Sequence, residues 1–206
     1  MAKAKIKTLF LDIGGVLLTD GWSHEIRAKA FQHFNLKKDE DEIVERHGLN
    51  FDTYELGKTT FDEYLDNTLF YKKRNFKKKE FIAFMFSQSQ ALPGAIGYFM
   101  DLKKKNGLRV VACSNEGRDF NQYRIEKFKL HKLFDAFVSS SYVGMRKPDP
   151  NIYKLASDIS FTPFNEALYV DDRLPYIEYA QSLGLPSLHY TGIDSAKKYF
   201  KKSGLK

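Results

Sequence analysis

The sequence predicts an α/β fold, a doubly wound parallel sheet of the Rossmann type with an inserted α-helical cap. Short apolar runs alternate with segments of helical spacing, an order typical of a parallel sheet with helices on both faces. The runs are apolar throughout, as expected for strands that are covered on both sides. Between the first two runs, from about Ser23 to Gln90, the spacing is helical for longer than an ordinary crossover needs.

Five strands are predicted from these runs. The first begins at Thr8 and ends before Asp12. The others are Leu108–Ser114, Phe134–Ser139, Ala167–Val170 and Ser187–Tyr190. Helices are expected at Ala95–Lys105, up to about Phe128, from Asn151 onwards and at about Tyr176–Leu183. Gly14 and Gly15 follow the first strand, where glycine allows a sharp turn and the close approach of a ligand.

The helical character of the long insertion ends at Leu92-Pro93-Gly94, because proline and glycine interrupt helices. We therefore predict a core domain made of residues 1–18 and 91–206, and a cap domain made of residues 19–90. Within the cap, Thr59 or Thr60 can cap a helix, and Glu63 stands where a capping box with Thr60 requires it. The cap is expected to cover the carboxyl ends of the strands.

The composition limits the class of protein. Of the 206 residues, 43% are hydrophobic and 29% are charged, values typical of a globular chain. No apolar run approaches the roughly 20 residues that a membrane helix requires, so no membrane partner is expected. The basic N-terminus lacks the apolar segment and cleavage site of a signal peptide. The single cysteine, Cys113, excludes an internal disulfide, and a cytoplasmic location is expected.

The formal net charge of +7 is spread along the chain. Lysine clusters lie on or beside predicted helices, so solvated helix faces are the expected explanation. The sequence has no zinc-finger spacing and no aromatic pattern of the kind found in RNA-binding modules, and no nucleic-acid partner is expected. An anionic small molecule is the partner that the charge favours. The oligomeric state, monomer or homodimer, stays open.

The residues able to do chemistry lie in four separate segments. Asp12, Ser114 and the pair Asp171-Asp172 each stand at the end of a predicted strand, and Lys147 lies in a loop before a helix. In a doubly wound sheet these positions converge. Three carboxylates in one cleft require a cation, and Mg²⁺ prefers oxygen ligands. An aspartate can act as a nucleophile, and a lysine can neutralise a phosphoryl group.

The four segments form four motifs in order along the chain. They are Phe10–Val16 around Asp12, Ala112–Asn115 around Ser114, Gly144–Pro150 around Lys147, and Tyr169–Asp172. In these motifs the chain resembles the haloacid dehalogenase (HAD) superfamily. More narrowly, it resembles the subfamily I hydrolases with a helical cap, among them sugar-phosphate phosphatase-like members. The resemblance covers nearly the whole chain.

The resemblance implies three kinds of site residue. The catalytic residues would be Asp12, as the nucleophile, and Lys147, which orients and neutralises the phosphoryl group. Ser114 and Asn115 would bind the phosphate of the substrate. The ligands of Mg²⁺, the implied cofactor, would be Asp12, the backbone carbonyl of Gly14, Asp171 and Asp172.

By this resemblance we expect Mg²⁺-dependent hydrolysis of a phosphate monoester through an aspartyl-phosphate intermediate. The substrate would be a small phosphorylated metabolite, such as a sugar phosphate. Two alternatives stay open. One is a 2-haloacid dehalogenase-type hydrolase, which also uses an aspartate nucleophile but needs no metal; the pair Asp171-Asp172 favours the phosphatase. The other is a non-catalytic HAD-like protein that binds a phosphorylated ligand or a partner.

Gly14 departs from the pattern of these phosphatases, which usually carry a second aspartate two residues after the nucleophile. That aspartate protonates the leaving group, a role that suits a positioned carboxylate. Three options stay open. Another group can replace it, with Asp20, His24 or a cap residue as candidates; or the leaving groups have a low pKa and need no acid; or the protein is slow, or a binder rather than a catalyst.

Overall fold

A computed structural model describes residues 5–205 of the chain. Its centre is a five-stranded sheet. The strands are β1 (Thr8–Leu11), β2 (Arg109–Ser114), β3 (Ala136–Ser139), β4 (Ala167–Asp171) and β5 (Ser187–His189). All neighbours pair in parallel, in the order β3-β2-β1-β4-β5. Since β1 lies at the centre, the winding reverses on either side of it, and the predicted doubly wound fold is confirmed.

Four α-helices follow β1 within residues 19–90. They are α1 (His24–His33), α2 (Glu40–Glu55), α3 (Phe61–Thr68) and α4 (Lys78–Ser87). The remaining helices are α5 (Ala95–Asn106), α6 (Arg118–Lys127), α7 (Ser140–Val143), α8 (Pro150–Ile159), α9 (Leu174–Ser182) and α10 (Ile193–Lys202). Short 3₁₀ turns occur at Lys37–Asp39, Leu130–Lys132 and Phe164–Glu166. No helix among the described residues is both long and apolar enough to cross a membrane.

The sheet has a buried core on each face, which explains why its strands are continuously apolar. Successive residues of a strand point to opposite faces. Leu9 and Leu11 of β1 join a cluster with residues of α5 and α10. Phe10, between them, joins a second cluster with residues of α8 and α9. Both faces are therefore covered, as expected for a parallel sheet.

The turn signals of the sequence act at the predicted places. Gly94 precedes α5 with a φ of 72°, and Gly107 follows it with a φ of 63°, a left-handed conformation that glycine adopts without strain. Thr60, rather than Thr59, caps α3 and forms a capping box with Glu63. These signals explain why the predicted boundaries lie close to the observed ones.

We keep the word cap for residues 19–90. Its helices enclose a third buried cluster, in which aromatic rings dominate. The division into a core and a cap at these boundaries stays a prediction, and residues 1–4 of the basic N-terminal segment lie outside the described range. The insertion leaves the sheet after β1 and returns at Ala91, which bridges to Leu18. The cap is therefore attached beside the carboxyl end of the central strand.

Three polar side chains bind one another inside the cap. The Trp22 indole N–H donates to the Tyr64 hydroxyl at 3.2 Å, and His47 Nδ1 lies 2.8 Å from the same hydroxyl. Burial of the imidazole, with the nearby Arg27 charge, lowers the pKa of His47 from 6.5 to about 4. The neutral imidazole is thus the form that fits the folded cap.

This environment of His47 predicts a loss of stability in acid. In the unfolded chain the imidazole has its ordinary pKa near 6.5, so between about pH 6.5 and 4 the unfolded state binds more protons than the folded state. The free energy of unfolding should fall as the pH falls through that window. In His47→Gln the fall should be smaller. Urea unfolding of both proteins at pH 7.5 and pH 5 gives the free energy of unfolding at each pH. An equal fall between the two pH values in wild type and His47→Gln would contradict the low pKa of His47.

Candidate active site

The carboxyl ends of three adjacent strands bring the predicted side chains together. Asp12 follows β1, Ser114 ends β2 and Asp171 ends β4. Because β1 lies between β2 and β4, these ends are neighbours at the edge of the sheet where the winding reverses. Lys147 reaches the same place from the loop between α7 and α8. Four predicted segments therefore meet at one site.

Lys147 is the centre of the site. Its side chain is fully buried, and Nζ lies 2.6 Å from Asp171 Oδ2 and 3.2 Å from Asp12 Oδ2. Burial alone would favour the neutral amine, but the two carboxylates raise the pKa of Lys147 well above its ordinary value. The residue is therefore a permanent cation that contacts the candidate nucleophile.

The two carboxylates differ in their surroundings. Asp171 accepts hydrogen bonds from the Tyr169 hydroxyl and from the Arg173 N–H, and is completely buried. Burial opposes its charge, but Lys147 and these donors hold its pKa below the ordinary value. Burial raises the pKa of Asp12, although Lys147 and Ser114 act in the opposite direction. Asp171 is thus fixed as the counterion of Lys147, while Asp12 faces the cleft.

Ser114 and Asn115 are placed beside Asp12 and Lys147. The Ser114 hydroxyl donates to Asp12 Oδ1 at 2.6 Å, and the Ile13 N–H donates to the same oxygen at 2.8 Å. The Asn115 amide donates to the Lys147 carbonyl at 3.0 Å and accepts from the Lys147 N–H at 2.8 Å. In this arrangement Ser114 orients the Asp12 carboxylate, and Asn115 fixes the loop that carries Lys147. Their predicted contacts with phosphate stay a prediction.

Asp12, Asp171 and Asp172 form a group that fits a divalent cation. Each offers a carboxylate oxygen, and the three oxygens lie within 4.8 Å of one another. Burial, together with the charges of Asp12 and Asp171, raises the pKa of Asp172 to about 7. Carboxylate oxygens are the donors that Mg²⁺ prefers, and a bound cation would relieve this repulsion. The donor set therefore suits the predicted cofactor.

Gly15 makes room for Asp172. Its φ is 68°, and a Cβ atom at this position would lie 2.1 Å from Asp172 Cγ. Any side chain would therefore displace the carboxylate. At Gly14 a Cβ atom would lie 3.2 Å from Asp20 Oδ1. Of the two named candidates for the missing acid, Asp20 thus lies beside Gly14 in the cleft, whereas His24 is exposed and is not part of the cleft wall.

The structure also shows charged pairs that the sequence analysis did not assign. Arg124 is completely buried and binds Glu116 at 2.6 Å. Glu116 directly follows Ser114 and Asn115 in the chain. Arg146, beside Lys147, binds Asp52 at 2.5 Å and Glu55 at 2.7 Å, both on α2 of the cap. The first pair supports the loop after β2, and the second joins the cap to the core. Nothing in the spacing of these residues indicates the pairing.

A cleft opens above the site, between the core and the cap. Its volume is about 160 Å³. Asp12, Ser114 and Lys147 lie at its base, and the cap contributes four aromatic side chains together with polar and small residues. Cys113 lies below the base, fully buried, where burial raises the pKa of its thiol to about 12. The thiol is therefore an inert part of the core, as its place in the strand indicates.

Gly15→Ala should disturb the candidate metal site specifically. Both Gly15 and Gly107 have a positive φ, so alanine at either position should cost about 1–2 kcal/mol in the free energy of unfolding. Only at Gly15 would the new Cβ atom also contact Asp172, whereas Gly107 faces open space. Mg²⁺ affinity, measured by calorimetry, should therefore be lost in Gly15→Ala and kept in Gly107→Ala. Equal Mg²⁺ affinities of Gly15→Ala and Gly107→Ala would show that Asp172 is not a ligand of the metal.

The chain matches the profile of one protein family. The profile of the haloacid dehalogenase-like hydrolases matches residues 6–184. The matched range contains all four motifs and most of the described sheet. It also contains the helices that follow β1.

Curated proteins with similar sequences match about half of the chain. A drimenol cyclase of Aspergillus calidoustus is 34% identical over 48% of this chain and 20% of its own length. A sesquiterpene phosphatase of Aspergillus oryzae is 35% identical over 43% of this chain and 45% of its own length. The matched segment thus spans less than half of each of these proteins.

Solved structures resemble the chain over nearly its full length. A HAD family enzyme from Bacteroides thetaiotaomicron superposes with a TM-score of 0.80 at 22% identity, covering 95% of this chain and 98% of that one. A predicted HAD-like hydrolase from Porphyromonas gingivalis gives a TM-score of 0.74 at 19% identity, covering 96% and 99%. These likenesses show the fold, and the profile match shows the family. The chain belongs to the haloacid dehalogenase-like hydrolase family.

Proposed function

We propose that this enzyme hydrolyses a phosphate monoester with the help of Mg²⁺, through an aspartyl-phosphate on Asp12. One observation carries the proposal. The Asp12 carboxylate lies at the base of the cleft, 3.2 Å from the Lys147 ammonium and within 4.8 Å of the carboxylate oxygens of Asp171 and Asp172. A nucleophile, a fixed cation and a set of metal ligands thus share one end of the cleft, as transfer of a phosphoryl group requires.

Two of the similar proteins support this choice of reaction. The Bacteroides thetaiotaomicron enzyme has been crystallised in complex with magnesium and inorganic phosphate. One curated relative is named a sesquiterpene phosphatase. Both names are consistent with a small phosphorylated substrate at the base of the cleft. The sugar phosphate expected from the sequence is one member of that class.

Each residue of the site has a separate role in the two steps of the reaction. An Asp12 oxygen attacks the phosphorus atom, the bond from phosphorus to the alcohol oxygen breaks, and the alcohol leaves with a proton. Water then attacks the same phosphorus atom and releases phosphate and free Asp12. Ser114 holds the other Asp12 oxygen, and Lys147 offsets the negative charge of the transferring group. Bound Mg²⁺, held by Asp12, the Gly14 carbonyl, Asp171 and Asp172, would supply further positive charge.

The dehalogenase alternative has less support from the site. Displacement of halide by an aspartate needs no metal, and Lys147 alone would then offset the repulsion among Asp12, Asp171 and Asp172. The solved dehalogenases that superpose on this chain do so at about 20% identity and show the fold alone. A purely binding role would not require the contact between Asp12 and Lys147.

The proposal predicts loss of activity in two variants that keep the fold. With p-nitrophenyl phosphate, the wild type should release phosphate in Mg²⁺ and not in excess chelator. Asp12→Asn and Asp172→Asn should each lower kcat/KM by at least about 10³-fold, because one removes the nucleophile and the other a metal ligand. Asp171→Asn is less informative, since Asp171 is the buried counterion of Lys147.

Asp158→Asn, on the exposed side of α8, is the matched control and should keep full activity. The thermal midpoint of each variant shows whether it is folded. Undiminished hydrolysis by folded Asp12→Asn, or by the wild type in chelator, would overturn the proposal.

Asp20 is expected to supply the proton that Gly14 cannot. Protonation of a basic leaving group is worth about 10²–10⁴-fold in rate, whereas nitrophenolate leaves without help. Asp20→Asn should therefore slow hydrolysis of ethyl phosphate by about 10²-fold or more and that of p-nitrophenyl phosphate far less. His24→Gln should change neither rate, because His24 is exposed and outside the cleft. Equal slowing of both esters by Asp20→Asn would show that Asp20 does not act on the leaving group.

A further inference from the structure

We propose that the alcohol part of the substrate is apolar, an alkyl or aryl group that packs against the cap while the phosphate lies at the base of the cleft. This inference rests on the proposed phosphatase function and names its substrate class. The observations that carry it are the residues of the upper cleft wall and the hydrogen bonds that these residues already make.

Six large apolar side chains, five of them aromatic, line the cleft. We call this surface the apolar wall; its residues are Trp22, Phe51, Tyr54, Tyr64, Met85 and Phe120. Tyr54 stacks on Tyr64 with 4.9 Å between ring centroids. The wall faces the same cleft as Asp12 and Lys147, so a group attached to a phosphate at the base extends toward these rings. Large apolar side chains around a few placed polar groups are typical of sites for apolar ligands.

The polar atoms of the wall are bound to one another. The Trp22 N–H and the Tyr64 hydroxyl form one hydrogen bond, and His47 binds the same hydroxyl from inside the cap. Glu55, beside the wall, is paired with Arg146. These groups have partners without any ligand. A substrate hydroxyl that approached them would have to break an existing bond.

Tyr54 is the exception on this wall. Its side chain is 4% exposed, and its hydroxyl has no hydrogen-bond partner among the described residues. Burial and nearby acidic groups raise the pKa of Tyr54 well above its ordinary value, so the hydroxyl keeps its proton. Because this hydroxyl is itself buried, it is not open to the cleft and offers no contact to a substrate hydroxyl. The other polar side chains that line the cleft are Asp20, Ser23, Asn115, Glu116, Arg146 and Arg173. Of these, Ser23, Asn115, Glu116 and Arg146 already bind other groups of the protein.

This arrangement discriminates against a sugar. A sugar carries several hydroxyls, and each one buried without a partner should weaken binding by about tenfold. An alkyl chain has no such cost, and each methylene that it buries should strengthen binding by about fourfold. The wall therefore selects for apolar alcohols among esters whose phosphate is held in the same way.

A homologous series of esters tests the inference. Ethyl, butyl, hexyl and octyl phosphate have similar leaving groups, so a trend in kcat/KM reports contact with the chain. With Mg²⁺ present, kcat/KM should rise by about fourfold per methylene until the wall is covered. Hexyl phosphate should exceed glucose 6-phosphate and glycerol 3-phosphate by about tenfold or more.

Two cap variants show whether the wall is responsible. Phe51→Asn should lower kcat/KM for hexyl phosphate by about tenfold and leave ethyl phosphate within about twofold, because only the longer chain reaches the wall. Phe84→Asn is the matched control, a half-buried aromatic of the cap outside the cleft, and should change neither ester. If Phe51→Asn and Phe84→Asn change kcat/KM for hexyl phosphate equally, the apolar wall does not bind the alkyl chain.

Trp22 gives a readout that does not depend on turnover. It is the single tryptophan of the chain and part of the wall. Octylphosphonate should shift its emission to shorter wavelength, and methylphosphonate should not. If kcat/KM does not rise from ethyl to octyl phosphate, or if a sugar phosphate is hydrolysed faster than hexyl phosphate, the proposed substrate class is wrong. The proposed phosphatase activity would still stand. Release of phosphate from none of the esters, p-nitrophenyl phosphate included, would overturn the proposed function and this inference with it.

Discussion

The buried ammonium group of Lys147 is the constraint on which the rest of the site depends. An isolated charge at that depth would be strongly unfavourable, and it is tolerated because Asp171 and Asp12 contact it at 2.6 and 3.2 Å. The two carboxylates exceed the one cation in charge, and Asp172 adds a third nearby. The site therefore carries excess negative charge, which a divalent cation would offset. One lysine thus sets both the position of the candidate nucleophile and the need for a metal.

Under the proposed function, the molecule separates chemistry from recognition. The carboxylates of the site lie at the ends of core strands, which parallel pairing holds rigidly, while the apolar wall comes mostly from the cap. Arg146 connects the two, since it stands beside Lys147 in the chain and binds two carboxylates of α2. Under that proposal, the cap could change its substrate without disturbing Asp12 or Lys147, and the motifs would carry no information about the alcohol.

Much of the fold could be predicted because local signals and tertiary packing agree. Strands covered on both faces appear as apolar runs, and Gly94 and Thr60 mark helix boundaries as the sequence predicts. The order of the motifs placed Asp12, Ser114, Lys147 and Asp171 at one end of the sheet, where they meet. Helix α7 and the bounds of α10 were missed, since α7 is a single turn and α10 follows the last strand with no site residue to mark it.

The sequence by itself determined the class of the fold, the family motifs and the residue types of the candidate site. It did so because buried parallel strands and their polar ends leave a one-dimensional pattern. Only the tertiary structure decided which groups are free and which are paired. Asn115 fixes the Lys147 loop, Asp20 lies beside Gly14, and the Tyr54 hydroxyl is left without a partner. Those distinctions depend on distances between segments far apart in the chain, which no local pattern records.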